Sequence, residues 1–477
     1  MLYSVFADDL QHEATIDLPA SKSLSNRALI LKALCQEPCE LSHLSDCDDT
    51  KVMLAAFAQE GKGFEEINIG AAGTSMRFLT AYFATKPGAE VILTGSERMK
   101  QRPIQLLVDA LRQLGADIEY AGNEGFPPLR IRGRQLAGGA LSIDGSTSSQ
   151  YISALLMIAP TLANGLQLTL TRDITSRPYI EMTRQMMQTF GVETTWISDD
   201  TIEVKPQAYR AQAYAVESDW SAASYWYEIV ALSKHADQRI HLLGLQKESL
   251  QGDHRIAEFF EPLGVLTEFT DEGVTLTKAE NTSMPQVLRL DMSEQPDLAQ
   301  TVIATCCALN VGFDIQGLHT LRIKETDRIS ALEAELSKMG FRITDENDDR
   351  MMFEPIETLS EDPEQLTPWS DVTTPLVKTY KDHRMAMAFA PMCLKLGSEE
   401  VLIDEPEVVS KSYPEFWKDL SLAGFSTKEY ATAEDYVEQF AKVQKHHQKI
   451  RLISKIILDV FLLGFVAIIA WIIYLLV

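Results

Sequence analysis

Apolar residues along this chain keep a helical spacing for ten to fifteen positions at a time, then break at a glycine and resume in strand-like alternation. Six amphipathic stretches end in this way, at Gly61, Gly115, Gly191, Gly264, Gly340 and Gly424. Each glycine suits the left-handed position that closes a helix, where a Cβ would clash. Between these stretches lie six others, beginning near Ser23, Gly73, Ser149, Ser221, Pro296 and His383. The pattern predicts twelve helices in six pairs with strands between them, in α/β units of about 75 residues. No such unit buries its apolar face alone, so the units must pack on one another.

A chain of 477 residues is too long for one core. Three units per domain is the natural division, with the crossover around Val216 to Asp219. Residues 1–20 and 218–425 then form one domain and residues 21–217 the other. The formal net charge of −25 argues against nucleic acid, which needs a basic footprint. The six cysteines form no Cys-x-x-Cys pair and have no histidines at zinc spacing, so no metal is expected. With no N-terminal signal sequence, reduced thiols in a cytoplasm are expected.

Cations and hydroxyls gather where helices begin. Pro19-Ala-Ser-Lys22-Ser23-Leu-Ser-Asn-Arg27 puts two cations in the first turns of an apolar helix, where free N–H groups and the dipole favour an anion. The theme recurs in Gly70-Ala-Ala-Gly73-Thr-Ser-Met-Arg77, Arg98-Met-Lys-Gln-Arg102-Pro103, Ser146-Thr-Ser148-Ser149-Gln150-Tyr151, Thr175-Ser176-Arg177-Pro178-Tyr179, Lys324-Glu325-Thr326-Asp327-Arg328, Lys381-Asp382-His383-Arg384 and Ser410-Lys411-Ser412-Tyr413. Any one of these is an ordinary solvated cap. Spread over both halves at the same end of the repeating unit, they point to one convergent site for small anionic ligands.

The ordered set, over residues 1 to about 425, resembles the 5-enolpyruvylshikimate-3-phosphate synthase family. The resemblance implies a two-domain inside-out α/β barrel, each domain built of three βαβαββ units and closing like a clamp. It implies transfer of the enolpyruvyl group of phosphoenolpyruvate to the 5-hydroxyl of shikimate 3-phosphate, with release of phosphate and no cofactor. By the same resemblance, Lys22, Gly73, Arg102, Gln150, Arg328, Arg384 and Lys411 face phosphoenolpyruvate. Lys22, Ser23, Arg27, Ser148, Ser149, Gln150, Ser176, Tyr179, Asp297 and Lys324 face shikimate 3-phosphate. The chemistry must deliver one proton to a methylene carbon and remove one from a hydroxyl, which suits paired carboxylates. Glu325 and Asp297 are the candidates, with Lys22 as helper, and their order is left open. A monomer is expected.

The chain departs from the family pattern at Ala71, where Asn is common, at Phe78, where Pro is common, and at Thr320, where Asn is frequent. Ala71 leaves the response to glyphosate open, although Gly73 is retained. The related UDP-N-acetylglucosamine enolpyruvyl transferases would be expected to carry a loop cysteine, and residues 86–134 hold none. A catalytically silent anion-binding or membrane-scaffold protein would be expected to have lost several of the five cations or both carboxylates. Beyond the resemblance, residues 426–455 read as a polar helical linker, and residues 456–477 are apolar apart from Asp459. At the helical rise that run spans about 33 Å, enough to cross a bilayer as a single C-terminal helix. Lys445, Lys449, Arg451 and Lys455 precede it, so the positive-inside rule puts the globular part on the cytoplasmic face.

Overall fold

The computed structural model describes residues 1–59, 65–280, 283–355, 374–396 and 399–442. It contains the twelve expected helices, in pairs such as Gly73–Ala84 with Gln105–Gln113 and Ala299–Leu309 with Arg328–Lys338. The glycines at 115, 191, 264, 340 and 424 close their helices with φ between 79° and 101°. Gly61 lies outside the described residues.

Five units carry a four-stranded sheet of one design: two parallel strands, then two antiparallel ones returning beside the second. In the unit from Glu65 to Arg132, Glu65–Asn68 runs parallel to Glu90–Thr94, which pairs antiparallel with Leu129–Arg132. In the last unit the fourth strand is the N-terminal Leu2–Phe6, inserted between Glu400–Asp404 and Ser426–Tyr430. Among the described residues the sixth sheet falls short of the expected four strands, with two, Leu41–Ser42 and Tyr214–Ala215. Pro38 lacks a ladder donor just upstream, and the neighbouring residues are committed to the crossing between halves.

The first helix of each pair goes inside. Gly73–Ala84 is buried at every position but one, as is Ala299–Leu309, and Trp220–Leu232 at every position but Ser221. Helices apolar all round need such a site. The sheets and the amphipathic second helices then lie outside them. Two main hydrophobic cores result: one gathers residues 5–18 and 220–425, the other residues 20–216. They are joined by two antiparallel crossing segments, through the Ala20–Ser218 bridge, Ser21 N–H to the Glu217 carbonyl at 2.8 Å and Asp219 N–H to the Pro19 carbonyl at 2.9 Å.

The C-terminal boundary differs from the sequence expectation. Residues 426–430, read as the start of a polar linker, form an edge strand on Leu2–Phe6. An edge strand with one wet face tolerates Ser-Thr-Lys-Glu, and Tyr430 is its buried member. Residues 433–442 are helical as expected, but Tyr436 is buried against Leu2, Leu402 and Tyr430, and its hydroxyl donates to Glu400 at 2.9 Å. No helix among the described residues is long and apolar enough to cross a membrane, and residues 456–477 lie outside them. A chain cut after Phe425 should therefore be less stable than one cut after Lys442, and Tyr430→Ala alone should lose about 3 kcal/mol in urea unfolding. Equal midpoints would show the strand to be dispensable.

Candidate active site between the two cores

Helix starts from both cores face one cleft. Ser21 caps Lys22–Leu34 by accepting the Leu24 N–H at 3.4 Å, and Asp219 accepts the Lys22 N–H at 3.1 Å while capping its own helix at Ser221 and Ala222. One carboxylate thus ties Lys22 to the facing domain. Ala72, before the helix Gly73–Ala84, provides no side-chain cap, so N–H groups stay open to the cleft. A Cβ at Gly73 would stand 2.6 Å from Arg102 Nη1, so glycine is what lets that guanidinium lie over the helix start. Ser148 caps Gln150, whose amide donates to Thr74 at 3.1 Å. Ser176 sits at φ 53° and donates its N–H across the cleft to the Ser293 carbonyl.

Arg27 and Arg77 are buried and make no salt bridge among the described residues. Arg27 donates to Thr183 at 2.7 Å, the Ser23 carbonyl at 2.9 Å and Ser153 at 3.1 Å, packed on the Phe78 and Tyr179 rings. Burial lowers both guanidinium pKa values to about 10, which still leaves cations at neutral pH. A buried cation without a counter-charge is costly, and an anionic ligand relieves it.

Opposite them lies a lattice of paired charges. The Arg328 guanidinium donates to Asp382 at 2.7 Å, Asp297 at 2.9 Å and Glu325 at 2.9 Å. Asp297 also meets Lys324 and Arg384, each at 3.2 Å. Glu325 meets Lys411 at 2.7 Å and Arg102 at 3.7 Å. Burial pushes both carboxyls upward, but Lys324, Arg384 and Arg328 hold Asp297 well below the usual carboxylate range, and Lys411, Arg328 and Arg102 do the same for Glu325. Burial also opposes the charge of Lys22, yet Asp49, 4.0 Å away, and Glu325 outweigh it. His383 is buried with neither ring nitrogen hydrogen-bonded among the described residues, its Nδ1 3.6 Å from Asp382, and burial together with Lys22 and Arg384 keeps it neutral.

All but one of the residues assigned to a ligand or to the chemistry line this cleft. Lys22, Ser23, Arg27, Gly73, Arg102, Ser148, Ser149, Gln150, Ser176, Tyr179, Asp297, Lys324, Glu325, Arg328 and Arg384 line it, and Lys411 joins through Glu325. The flanking Arg177 is turned away, its guanidinium 4.6 Å from the Trp196 ring. Thr320 lines the cleft with no hydrogen-bond partner for its hydroxyl among the described residues, Phe78 backs Arg27, and Ala71 is exposed. Sequence reasoning missed Asp49, Asp219, Ser221, Tyr225 and Asp253, which resemble ordinary caps or core residues along the chain. Asp382 and His383 stood in a quoted motif but had no assigned part.

The sequence model of the EPSP synthase (3-phosphoshikimate 1-carboxyvinyltransferase) family matches residues 9–68 and 59–420. A 3-phosphoshikimate 1-carboxyvinyltransferase of Bacteroides fragilis is 55% identical over 418 residues, covering 88% of this chain and 97% of that relative. The chain belongs to the EPSP synthase family. One from Haemophilus influenzae is 36% identical over 434 residues, covering 85% of this chain and 95% of that relative. An EPSP synthase structure from Acinetobacter baumannii superposes with a TM-score of 0.71 at 19% identity, over 90% of this chain and all of that one, a likeness of fold. The family's two-domain α/β architecture is thus the one seen here.

Within this EPSP synthase cleft, Asp382 is the fully buried partner of Arg328 and also caps the helix His383–Phe389. Asp382→Ala should lose about 3 kcal/mol in denaturant unfolding, because a buried guanidinium is left short of charge. Asp382→Asn, which keeps the cap, should lose less. A loss below about 1 kcal/mol for the alanine variant would show that Asp297 and Glu325 suffice.

Proposed function

We propose that this cleft performs the family's reaction, with Lys22, Arg102, Arg328, Arg384 and Lys411 holding phosphoenolpyruvate and Ser23, Arg27, Ser148, Ser149, Ser176, Tyr179 and Lys324 holding shikimate 3-phosphate. Gln150 stands between the two. The observation that carries this reading is the convergence, from both cores, of these cations on Asp297 and Glu325 in a single cleft. Both ligands are polyanions. Preorganised guanidinium forks and helix N–H groups bind them without later reorganisation.

Asp297 is kept ionised by three cations, which fits it to take the proton of the 5-hydroxyl as that oxygen bonds to the substituted enol carbon. The cations that keep Glu325 ionised are the ones assigned to phosphoenolpyruvate. As the ligand engages Lys411, Arg102 and Arg328, Glu325 loses its counter-charges and becomes a stronger proton acceptor. Glu325, protonated from solvent as its counter-charges are drawn to the ligand, then supplies the methylene carbon, converting it to methyl. Elimination reverses that transfer: a methyl proton returns to Glu325, the C–O bond to phosphate breaks, and the hydroxyl proton held by Asp297 leaves with the departing phosphate, giving the enol ether and inorganic phosphate. Lys22, near Asp49 and within the field of Glu325, offsets charge at the attacking oxygen.

Glu325→Gln and Asp297→Asn should lower kcat by at least about 100-fold with small changes in ligand affinity, since the amides keep shape but exchange no proton. Steady-state phosphate release with both substrates, beside calorimetric titration of shikimate 3-phosphate, measures this. A loss confined to binding would refute the acid and base assignment. Lys22→Met, Arg328→Met and Lys411→Met should each abolish turnover; a near-normal rate removes that residue from the site.

A single chain supplies both walls of the cleft, which supports a monomeric enzyme. Residues 456–477, with the basic run before them, support tethering of that enzyme to the cytoplasmic face of a membrane. Asp459 would lie near the interface beside Lys455, where charge costs less than at mid-membrane. Full-length protein should sediment with membranes and a chain ending at Lys442 should not, with equal activity in both. Full-length protein in the soluble fraction would overturn the tether.

A further inference from the structure

Asp253 is a buried carboxyl at the shikimate 3-phosphate end of the cleft, and it makes no salt bridge among the described residues. It stands on the short turn Gly252–Arg255 of one core. A Cβ at Gly252 would lie 2.4 Å from Pro178 Cβ, so glycine is what lets this turn press against the start of the helix Arg177–Thr189 in the other core. That contact brings Asp253 to Tyr179. The Tyr179 hydroxyl donates to the carboxyl, at 3.2 Å from Oδ1 and 3.4 Å from Oδ2, and the Ser221 hydroxyl donates to Oδ2 in a short bond.

The groups that face Asp253 disfavour its charge on balance. Burial and the neighbouring Asp297 and Asp219 push its pKa up, against the Ser221 bond and the field of Arg384, to about 6. Arg255 on the same turn is engaged by Glu258 and Glu294. A phenol has one proton. While Tyr179 donates it to Asp253, the oxygen it presents to the cleft is an acceptor, the wrong polarity for an anionic ligand. Tyr179 also sits over Arg27, a buried cation with no carboxylate partner among the described residues.

We propose that Asp253 is a positioning residue that takes up a proton from solvent when shikimate 3-phosphate binds, and so turns the Tyr179 hydroxyl toward the ligand carboxylate. Neutral Asp253 donates from Oδ1 to the Tyr179 oxygen and still accepts from Ser221 at Oδ2, so every polar atom keeps a partner. The Tyr179 proton is then free for the substrate. The inference rests on Tyr179 facing shikimate 3-phosphate. It makes the cross-core bond sensitive to whether the ligand is present.

The test is calorimetric titration of shikimate 3-phosphate into wild type, D253N, Y179F and Y179F/D253N, in buffers of different ionisation enthalpy. The phosphate monoester of the ligand itself titrates near pH 6, so the difference between variants is what reports on Asp253. At about pH 7.5, wild type should take up close to one more proton per ligand than D253N, and D253N should bind about thirtyfold more tightly, because its amide is already a donor. The affinities should converge towards about pH 5.5, where Asp253 is neutral before binding. D253N should give no gain when Y179F is also present. Equal proton uptake in wild type and D253N, or weaker binding by D253N with an unchanged pH profile, would overturn the proposal. If D253N does not fold, Y179F replaces it: wild type should exceed Y179F in proton uptake, and equal uptake overturns the idea. Failure of wild type to bind shikimate 3-phosphate at all would overturn the functional reading instead.

Discussion

Arg328 holds three carboxylates at once, and much of the cleft is arranged around that fact. Its guanidinium is nearly inaccessible to water, yet Asp382, Asp297 and Glu325 each accept from a different nitrogen. A single buried ion pair is weak support for a fold, because desolvation consumes most of the attraction. A planar fork with three acceptors, each shared with another cation or a helix cap, satisfies far more of its bonding capacity. Asp382 and Arg384 tie the lattice to one helix start, Asp297 to the turn Pro296–Leu298, and Lys411 to the end of the turn Pro406–Lys411.

The same arrangement explains how opposed demands meet in one place. Ligands with several negative charges need dense positive charge, but positive charge without ligands destabilises a folded protein by self-repulsion. In the wall formed by residues 220–425 the resident carboxylates supply the balance, and their low pKa values record it. In the wall formed by residues 20–216, Arg27 and Arg77 are bonded instead to hydroxyl, carbonyl and sulfur acceptors. The two walls are therefore electrostatically unlike.

The architecture delivers these groups by a simple rule. Helices apolar all round go inside, their first turns emerge at one end of each core, and two crossing segments hold those ends face to face. The N-terminal strand completes the last sheet of the chain, and Ser426–Tyr430 closes over it. The second departure from a regular repeat, the two-stranded sheet beside the crossing, lies where the chain changes cores.

The twelve helices and the glycines that close them are local facts, set by apolar spacing and by φ > 0 at positions a Cβ would strain, so the sequence alone determined them. It also determined which cations, hydroxyls and carboxylates head the helices, and hence nearly all residues of the cleft. What it left undecided depends on neighbours distant along the chain. Residues 426–430 read as linker because an edge strand needs apolar residues on one face only, and that face is defined by Leu2–Phe6. Asp49, Asp219 and Asp253 read as caps or turn residues, since a carboxylate's role follows from which charges lie within a few ångströms of it. Gly252 carries no local signal: its requirement comes from Pro178, more than seventy residues away, and only the meeting of the two cores created it.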